Sequence, residues 1–239
     1  MSRKSFGTLD IADAFLRAFF PPSCPHCHRL TREDPLCSHC KPLQPVLDPL
    51  CFKCGEAVSQ AILECGRCLQ TPIAHVSWIR SALSLTDSAK TWVHLIKFGR
   101  NHEYISLILR ALPPVALPTS LPLTLIPVPM YPPTTLQRGF NQSEILCQWL
   151  VKALNLPVVY NGLRKIRRTA QQSTLLAKDR RSNLKNCFSW VHQDSAPARV
   201  LLVDDIFTTG STLQECAKEL LNSDAEEIGA WTLFRAMKT

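Results

Sequence analysis

Val200-Leu201-Leu202-Val203-Asp204-Asp205-Ile206-Phe207-Thr208-Thr209-Gly210-Ser211-Thr212 decides the fold of this chain. The run Arg199–Val203 shows no apolar-polar alternation, which predicts a strand buried on both faces of a parallel sheet. That strand ends in two carboxylates. A small, hydroxyl-rich loop follows and opens a helix, with Leu213, Cys216, Ala217, Leu220 and Leu221 on one face.

The chemistry of that stretch points to a ligand. Open α/β sheets bind ligands beyond the carboxyl ends of their strands. Backbone N–H groups at a helix N-terminus attract anions, and Gly210 allows close approach. Hydroxyls of Thr208, Thr209, Ser211 and Thr212 add donors for a phosphate. Asp204 and Asp205 offer acceptors to vicinal ribose hydroxyls and can hold Mg²⁺ directly or through water. The implied ligand is a ribose 5-phosphate unit. A strand ending in Asp-Asp also occurs in phospho-acceptor receiver domains and in Walker B motifs. A receiver places it near its own start, whereas only 34 residues follow Asp205 here. A Walker B needs a G-x-x-x-x-G-K-[ST] loop, which this sequence lacks. Neither alternative accounts for Thr208–Thr212.

Upstream, strand and helix patterns alternate. Val76–Leu85 begins as a strand, with helical stretches at Ala89–Phe98 and His102–Leu112. After a proline-rich connection come an apolar run at Leu123–Val128, a helix at Phe140–Leu154 and a short strand at Pro157–Tyr160. Phe188–Val191 and Ile228–Phe234 read as further strands. This alternation predicts an α/β fold with a parallel, doubly wound sheet flanked by helices.

The first third is different. Four C-x-x-C pairs, Cys24/Cys27, Cys37/Cys40, Cys51/Cys54 and Cys65/Cys68, are separated by 9, 10 and 10 residues. A C-x-x-C turn aims both sulfurs at one point, and two turns complete a tetrahedral Zn²⁺ shell. The expectation is two closed, structural Zn²⁺ sites. Sequential pairing closes the shorter loops, with cross-braced pairing as the alternative. Gly55 and Gly66 each follow a cysteine, where φ > 0 frees N–H groups for the sulfurs. His28 and Lys41 stand there in the first two pairs, and His26 and His39 are potential substitute ligands. Cys147, Cys187 and Cys216 read as small core residues.

The domain boundaries expected are an amphipathic helix at 1–20, a double zinc ribbon at 21–72 and the α/β domain at 73–239. Ala12, Phe15, Leu16, Phe19 and Phe20 form the helix's apolar face, suited to packing on the same protein or to docking on a partner or membrane surface. No stretch reads as membrane-spanning or as a signal peptide, so a reducing cytosol is the default compartment.

The formal net charge of +8 is concentrated. Between Arg164 and Lys185 stand eight basic residues against the single Asp179. Such a segment attracts phosphate.

The 204–212 loop resembles the phosphoribosyl-diphosphate (PRPP) motif of type I phosphoribosyltransferases. The whole chain resembles the ComF family over about residues 21–235. Ile126-Pro127-Val128-Pro129, Arg138-Gly139-Phe140-Asn141-Gln142 and the set Arg168, Gln172, Leu175, Arg180, Asn183 and Phe188 fit that family's pattern. Phe207 departs from it, standing where many relatives carry a smaller aliphatic residue. The resemblance implies a double zinc ribbon joined to a type I phosphoribosyltransferase-like domain, with a role in competence and DNA uptake. It implies PRPP with Mg²⁺ as ligand, single-stranded DNA and competence-machinery proteins as partners, and a cytoplasmic location, peripheral at the inner membrane.

Residue by residue, Asp204 and Asp205 would contact ribose hydroxyls and Mg²⁺, and Thr208–Thr212 would hold the 5-phosphate. Val128–Tyr131 would lie near pyrophosphate. The segment 162–187 takes the place of a mobile loop that closes over PRPP, with Arg168, Arg180 and Arg181 placing charge on the leaving pyrophosphate. Arg138 and Gln142 either touch ligand or anchor their helix. No acceptor site or catalytic base stands out near His94, Lys97 and His102. Three functions remain open at this point: a transferase passing phosphoribosyl to a nitrogen nucleophile, a PRPP-binding competence protein that handles single-stranded DNA, and a zinc-ribbon adaptor with a vestigial PRPP site.

Overall fold

The computed structural model describes residues 23–24, 27, 29–31, 37, 44–98, 103–167, 184 and 186–236. The chain divides into two compact units, Met1–Leu43 and Gln44–Thr239. The expected helix at 1–20, Cys40, His26, His28, His39, Lys41, His102, Arg168, Gln172, Leu175, Arg180, Arg181 and Asn183 lie outside the described residues.

Within the first unit, Cys24 and Cys37 are buried and Cys27 is half-buried. A bridge between Ser23 and Leu30 closes the first cysteine turn, with Cys24 N–H donating to the Arg29 carbonyl at 2.8 Å.

The second unit contains, in order, β1 (Gln44–Pro45), α1 (Gly66–Gln70), β2 (Trp78–Ser84), α2 (Asp87–Phe98), α3 (Glu103–Arg110), β3 (Thr124–Pro127), α4 (Pro132–Arg138), α5 (Gln142–Leu154), β4 (Leu163–Lys165), β5 (Phe188–Trp190), β6 (Arg199–Phe207), α6 (Ser211–Asn222) and β7 (Glu227–Arg235). The main sheet runs β1-β2-β7-β6-β3. Its pairs are parallel except for β1 on β2. The parallel, helix-flanked sheet expected from the alternating pattern is therefore present.

β6 and β7 occupy the centre, where both faces are covered. That is why Val200–Val203 and Ile228–Phe234 carry buried side chains at every position that has one. β6 does not stop at Val203. Its ladder with β7 continues through Asp204↔Thr232 to Phe207↔Arg235, because β7 is equally long. The carboxylate pair thus sits inside a paired strand, which fixes its direction better than a loop would.

Three local expectations change. Pro157–Tyr160 shrinks to a single parallel bridge between Leu125 and Val158 at the sheet edge. Residues 132–138 form a helix that the sequence pattern did not suggest: Pro132 and Pro133 occupy its first positions, where the missing N–H costs nothing. The two ends of the basic segment pair with each other as the β4/β5 hairpin, Leu163 opposite Trp190 and Lys165 opposite Phe188.

Candidate functional site

Successive strand residues point to opposite faces, so Asp204 and Asp205 diverge. Asp204 Oδ1 accepts from the Asp205 N–H at 2.8 Å and from the Ser143 hydroxyl of α5 at 3.4 Å. Burial pushes the Asp204 carboxyl up to about 8, and the Asp205 charge adds to the rise; the Asp205 N–H and Lys97 oppose it. Asp205 faces α2, where its Oδ2 lies 3.4 Å from Lys97 Nζ. It shares a small hollow with Ile96, Ile105, Leu146 and Gln142.

The loop beyond β6 is preformed. Gly210 caps α6 in the left-handed region, at φ 78°. A side chain there is strained, and its Cβ would stand 2.9 Å from the Phe207 ring. The Thr209 and Ser211 hydroxyls are 2.8 Å apart, and the Ser211 N–H donates to Thr209 Oγ1 at 3.4 Å. No acidic residue occupies the first turn of α6. The helix's positive end therefore carries no acidic side chain of its own, and it opens beside the Thr209 and Ser211 hydroxyls.

Asn141 caps α5 through its side chain, which accepts from the Ser143 N–H at 3.1 Å, and its Nδ2 donates to the Val128 carbonyl at 3.2 Å. This ties the turn after β3 to the start of α5, beside Asp204. Gln142 is 2% exposed, and its Nε2 has no hydrogen-bond partner among the described residues. It lies beside Asp205 rather than at the 208–212 loop. Arg138 ends α4 and is half-buried.

The cysteines form two clusters. Cys51, Cys54, Cys65 and Cys68 bring their sulfurs within 4.8 Å of one another, and Cys24, Cys27 and Cys37 do the same. Each cluster draws on neighbouring pairs, so the pairing is sequential. A tetrahedral shell with Zn–S near 2.3 Å requires sulfurs about 3.8 Å apart. The measured separations of 4.0 Å for Cys51–Cys68, 3.6 Å for Cys54–Cys65 and 3.8 Å for Cys65–Cys68 fit it. The Cys65 N–H donates to Cys51 Sγ at 3.2 Å. Gly55 has the expected positive φ of 69°. Gly66 does not. It starts α1, and Cys65 directs its N–H to sulfur from an extended backbone.

Side chains that sequence reasoning missed join this second cluster to the hydroxyl loop. Arg235, 1% exposed, donates to the Cys54 carbonyl and to the Glu56 carboxylate. Its guanidinium lies 4.8 Å from the centre of the Phe207 ring. Arg67, between Cys65 and Cys68, donates to the Thr208 carbonyl and lies 5.5 Å from the same ring. An arginine closing an otherwise apolar run, as Arg235 does after Phe234, is the one trace of this in the sequence.

Comparison with known proteins agrees with both parts. The double zinc ribbon domain family matches residues 15–69, and the phosphoribosyl transferase domain family matches residues 148–239. The chain is 36% identical to Competence protein F of Haemophilus influenzae, over 91% of this chain and 99% of that one. It is 35% identical to DNA utilization protein YhgH of Escherichia coli O157:H7, over 84% of this chain and 91% of that one. A hypoxanthine phosphoribosyltransferase from Staphylococcus aureus superposes with a TM-score of 0.32, over 61% of this chain and 64% of that one, at 13% identity. Among the described residues, no helix is long and apolar enough to cross a membrane. With two cysteine clusters, a parallel sheet carrying the Asp-Asp-x-x-Thr-Thr-Gly-Ser-Thr stretch, and relatives matched almost end to end, this chain belongs to the ComF family.

Proposed function

We propose that this protein binds PRPP with Mg²⁺ and serves DNA uptake or DNA utilization. The observation that carries the ligand is the preformed loop at Thr208–Thr212, seated on the N-terminus of α6 directly beyond the Asp204–Asp205 pair. A 5-phosphate there would accept from the N–H groups opening α6 and from the hydroxyls of Thr209 and Ser211. The ribose hydroxyls would donate to Asp204 and Asp205, and Mg²⁺ would offset the burial and the Asp205 repulsion that together raise the Asp204 carboxyl. The names of the relatives, which concern competence and DNA utilization, support the process.

The basic segment adds a second ligand class. Its described ends, Arg164, Ile166 and Arg167, are exposed on or beside the β4/β5 hairpin. Arg164 and Arg167, with Arg168, Arg180 and Arg181, would supply charge for the pyrophosphate of PRPP or for the backbone of single-stranded DNA. Transfer of phosphoribosyl to a nitrogen nucleophile is the alternative use of the same site.

Calorimetry with PRPP tests the reading. Binding is expected with Mg²⁺, weakened without it, and lost in Asp204→Ala/Asp205→Ala. No binding by the wild type defeats the proposal. Pyrophosphate release in the presence of bases and amines separates a transferase from a PRPP-binding protein.

A further inference from the structure

The second cysteine cluster does not sit apart from the α/β domain. Its four cysteines share one apolar core with Ile79, Val200, Leu202, Phe207 and Ala230. Three polar links then lead outward to the phosphate loop. Glu56, two residues past Cys54, accepts from Arg235 and, at 3.3 Å, from Arg67. Arg235 also reaches Cys54 Sγ at 3.5 Å. Both guanidinium groups lie against the ring of Phe207, and Arg67 holds the carbonyl of Thr208. Phe207 in turn stands where a Gly210 side chain would go.

Physically, this fixes the loop from beneath. A cation against an aromatic face is attracted by the ring's quadrupole, more strongly when desolvated, and Arg235 is buried. Arg67 is carried by the Cys65–Cys68 turn itself. Its position therefore depends on the turn that the thiolates close. A preorganised anion site holds its donors in place before ligand arrives, so loosening the support lowers affinity without removing a donor.

We infer that Arg67 and Arg235 are positioning residues that make the second cysteine cluster part of the ribose-phosphate site, so that metal at Cys51, Cys54, Cys65 and Cys68 sets the order of the 207–211 loop and its affinity for a 5-phosphate. The inference rests on the PRPP reading for its ligand, but not for the coupling between cluster and loop. The Phe207 ring is the element that both arginines grip.

The test uses the full zinc-loaded chain with Arg67→Ala and Arg67→Lys. Amide hydrogen exchange is followed at residues 208–211 and at Val200–Val203, and ribose 5-phosphate and pyrophosphate are titrated by calorimetry. Arg67→Ala is expected to speed exchange at 208–211 only, and to weaken ribose 5-phosphate about tenfold while leaving pyrophosphate affinity and zinc content unchanged. Arg67→Lys, which keeps a cation near the ring and a donor for the carbonyl, should recover most of both. Chelating zinc from the wild type should speed exchange at the same amides. Unchanged exchange in Arg67→Ala overturns the inference, as does an equal loss of protection along Val200–Val203. If the wild type binds no ribose 5-phosphate, the PRPP reading fails, and the exchange result alone decides the coupling.

Discussion

Lys97 on α2 places its ammonium 3.4 Å from Oδ2 of Asp205, with both side chains mostly shielded from solvent. The pair holds a cation at the carboxylates before any ligand arrives. An incoming Mg²⁺ must compete with that ammonium. Lys97→Ala is therefore expected to tighten Mg²⁺ binding several-fold, measured by calorimetry. It should cost the ligand-free protein about 0.5–1 kcal/mol, because two carboxylates lose their neutralising partner. Unchanged or weaker Mg²⁺ binding in the variant would show that Lys97 does not compete for this site.

Asp204 carries a stability penalty with a definite sign in pH. Below about pH 4 its carboxyl is protonated in both the folded and the unfolded chain. Between there and about 8, the unfolded chain loses the proton and the folded chain keeps it. The folded state then binds more protons, so stability falls as pH rises. Asp204→Asn removes this titration. Thermal melts of the ligand-free protein should show the variant about 2 kcal/mol more stable at pH 8, with the advantage shrinking towards pH 4. PRPP binding should be lost in the same variant. An advantage that does not depend on pH would remove burial of the Asp204 charge as its cause.

What the sequence disclosed depended on how local the cause was. Val200–Val203 was legible because burial on both faces leaves an uninterrupted apolar run. The cysteine pairs were legible because ligand spacing is local, down to their sequential pairing. The β4/β5 hairpin was hidden by charge: Arg164 and Lys165 look like loop, but Lys165 packs over the Phe188 ring at 5.8 Å. The contact of Arg67 with Thr208 spans 141 residues and that of Arg235 with Cys54 spans 181, and no periodicity encodes such pairs. Gly66 misled because a glycine after cysteine suits two roles, a left-handed turn at Gly55 and a helix start at Gly66.

Cys54 is wholly buried and belongs to the cluster that shares a core with β6 and α6. Its loss should therefore reach well beyond the cysteine loop. Cys54→Ser is expected to lower zinc content by about one ion per chain and to destabilise the α/β unit by at least about 3 kcal/mol. Elemental analysis and circular dichroism melts check the two effects together. Loss of zinc with an unchanged melt would mean that the cluster is an appendage rather than part of the core.

Gly210 tests the loop itself. Its φ of 78° is strained for any residue with a side chain, and a Cβ would press on the Phe207 ring from 2.9 Å. Both arginines brace that ring, so it cannot yield freely. Gly210→Ala should therefore cost about 1–2 kcal/mol of stability, the usual scale for a side chain forced into this region. The larger effect should be on ligand. An alanine would shift the backbone that presents the first N–H groups of α6, and PRPP affinity should fall at least tenfold by calorimetry, with zinc content unchanged. Phe207→Leu should partly relieve the clash, so Gly210→Ala/Phe207→Leu is expected to be more stable than Gly210→Ala alone. If the double variant is no better, the strain lies in the backbone and the ring plays no part.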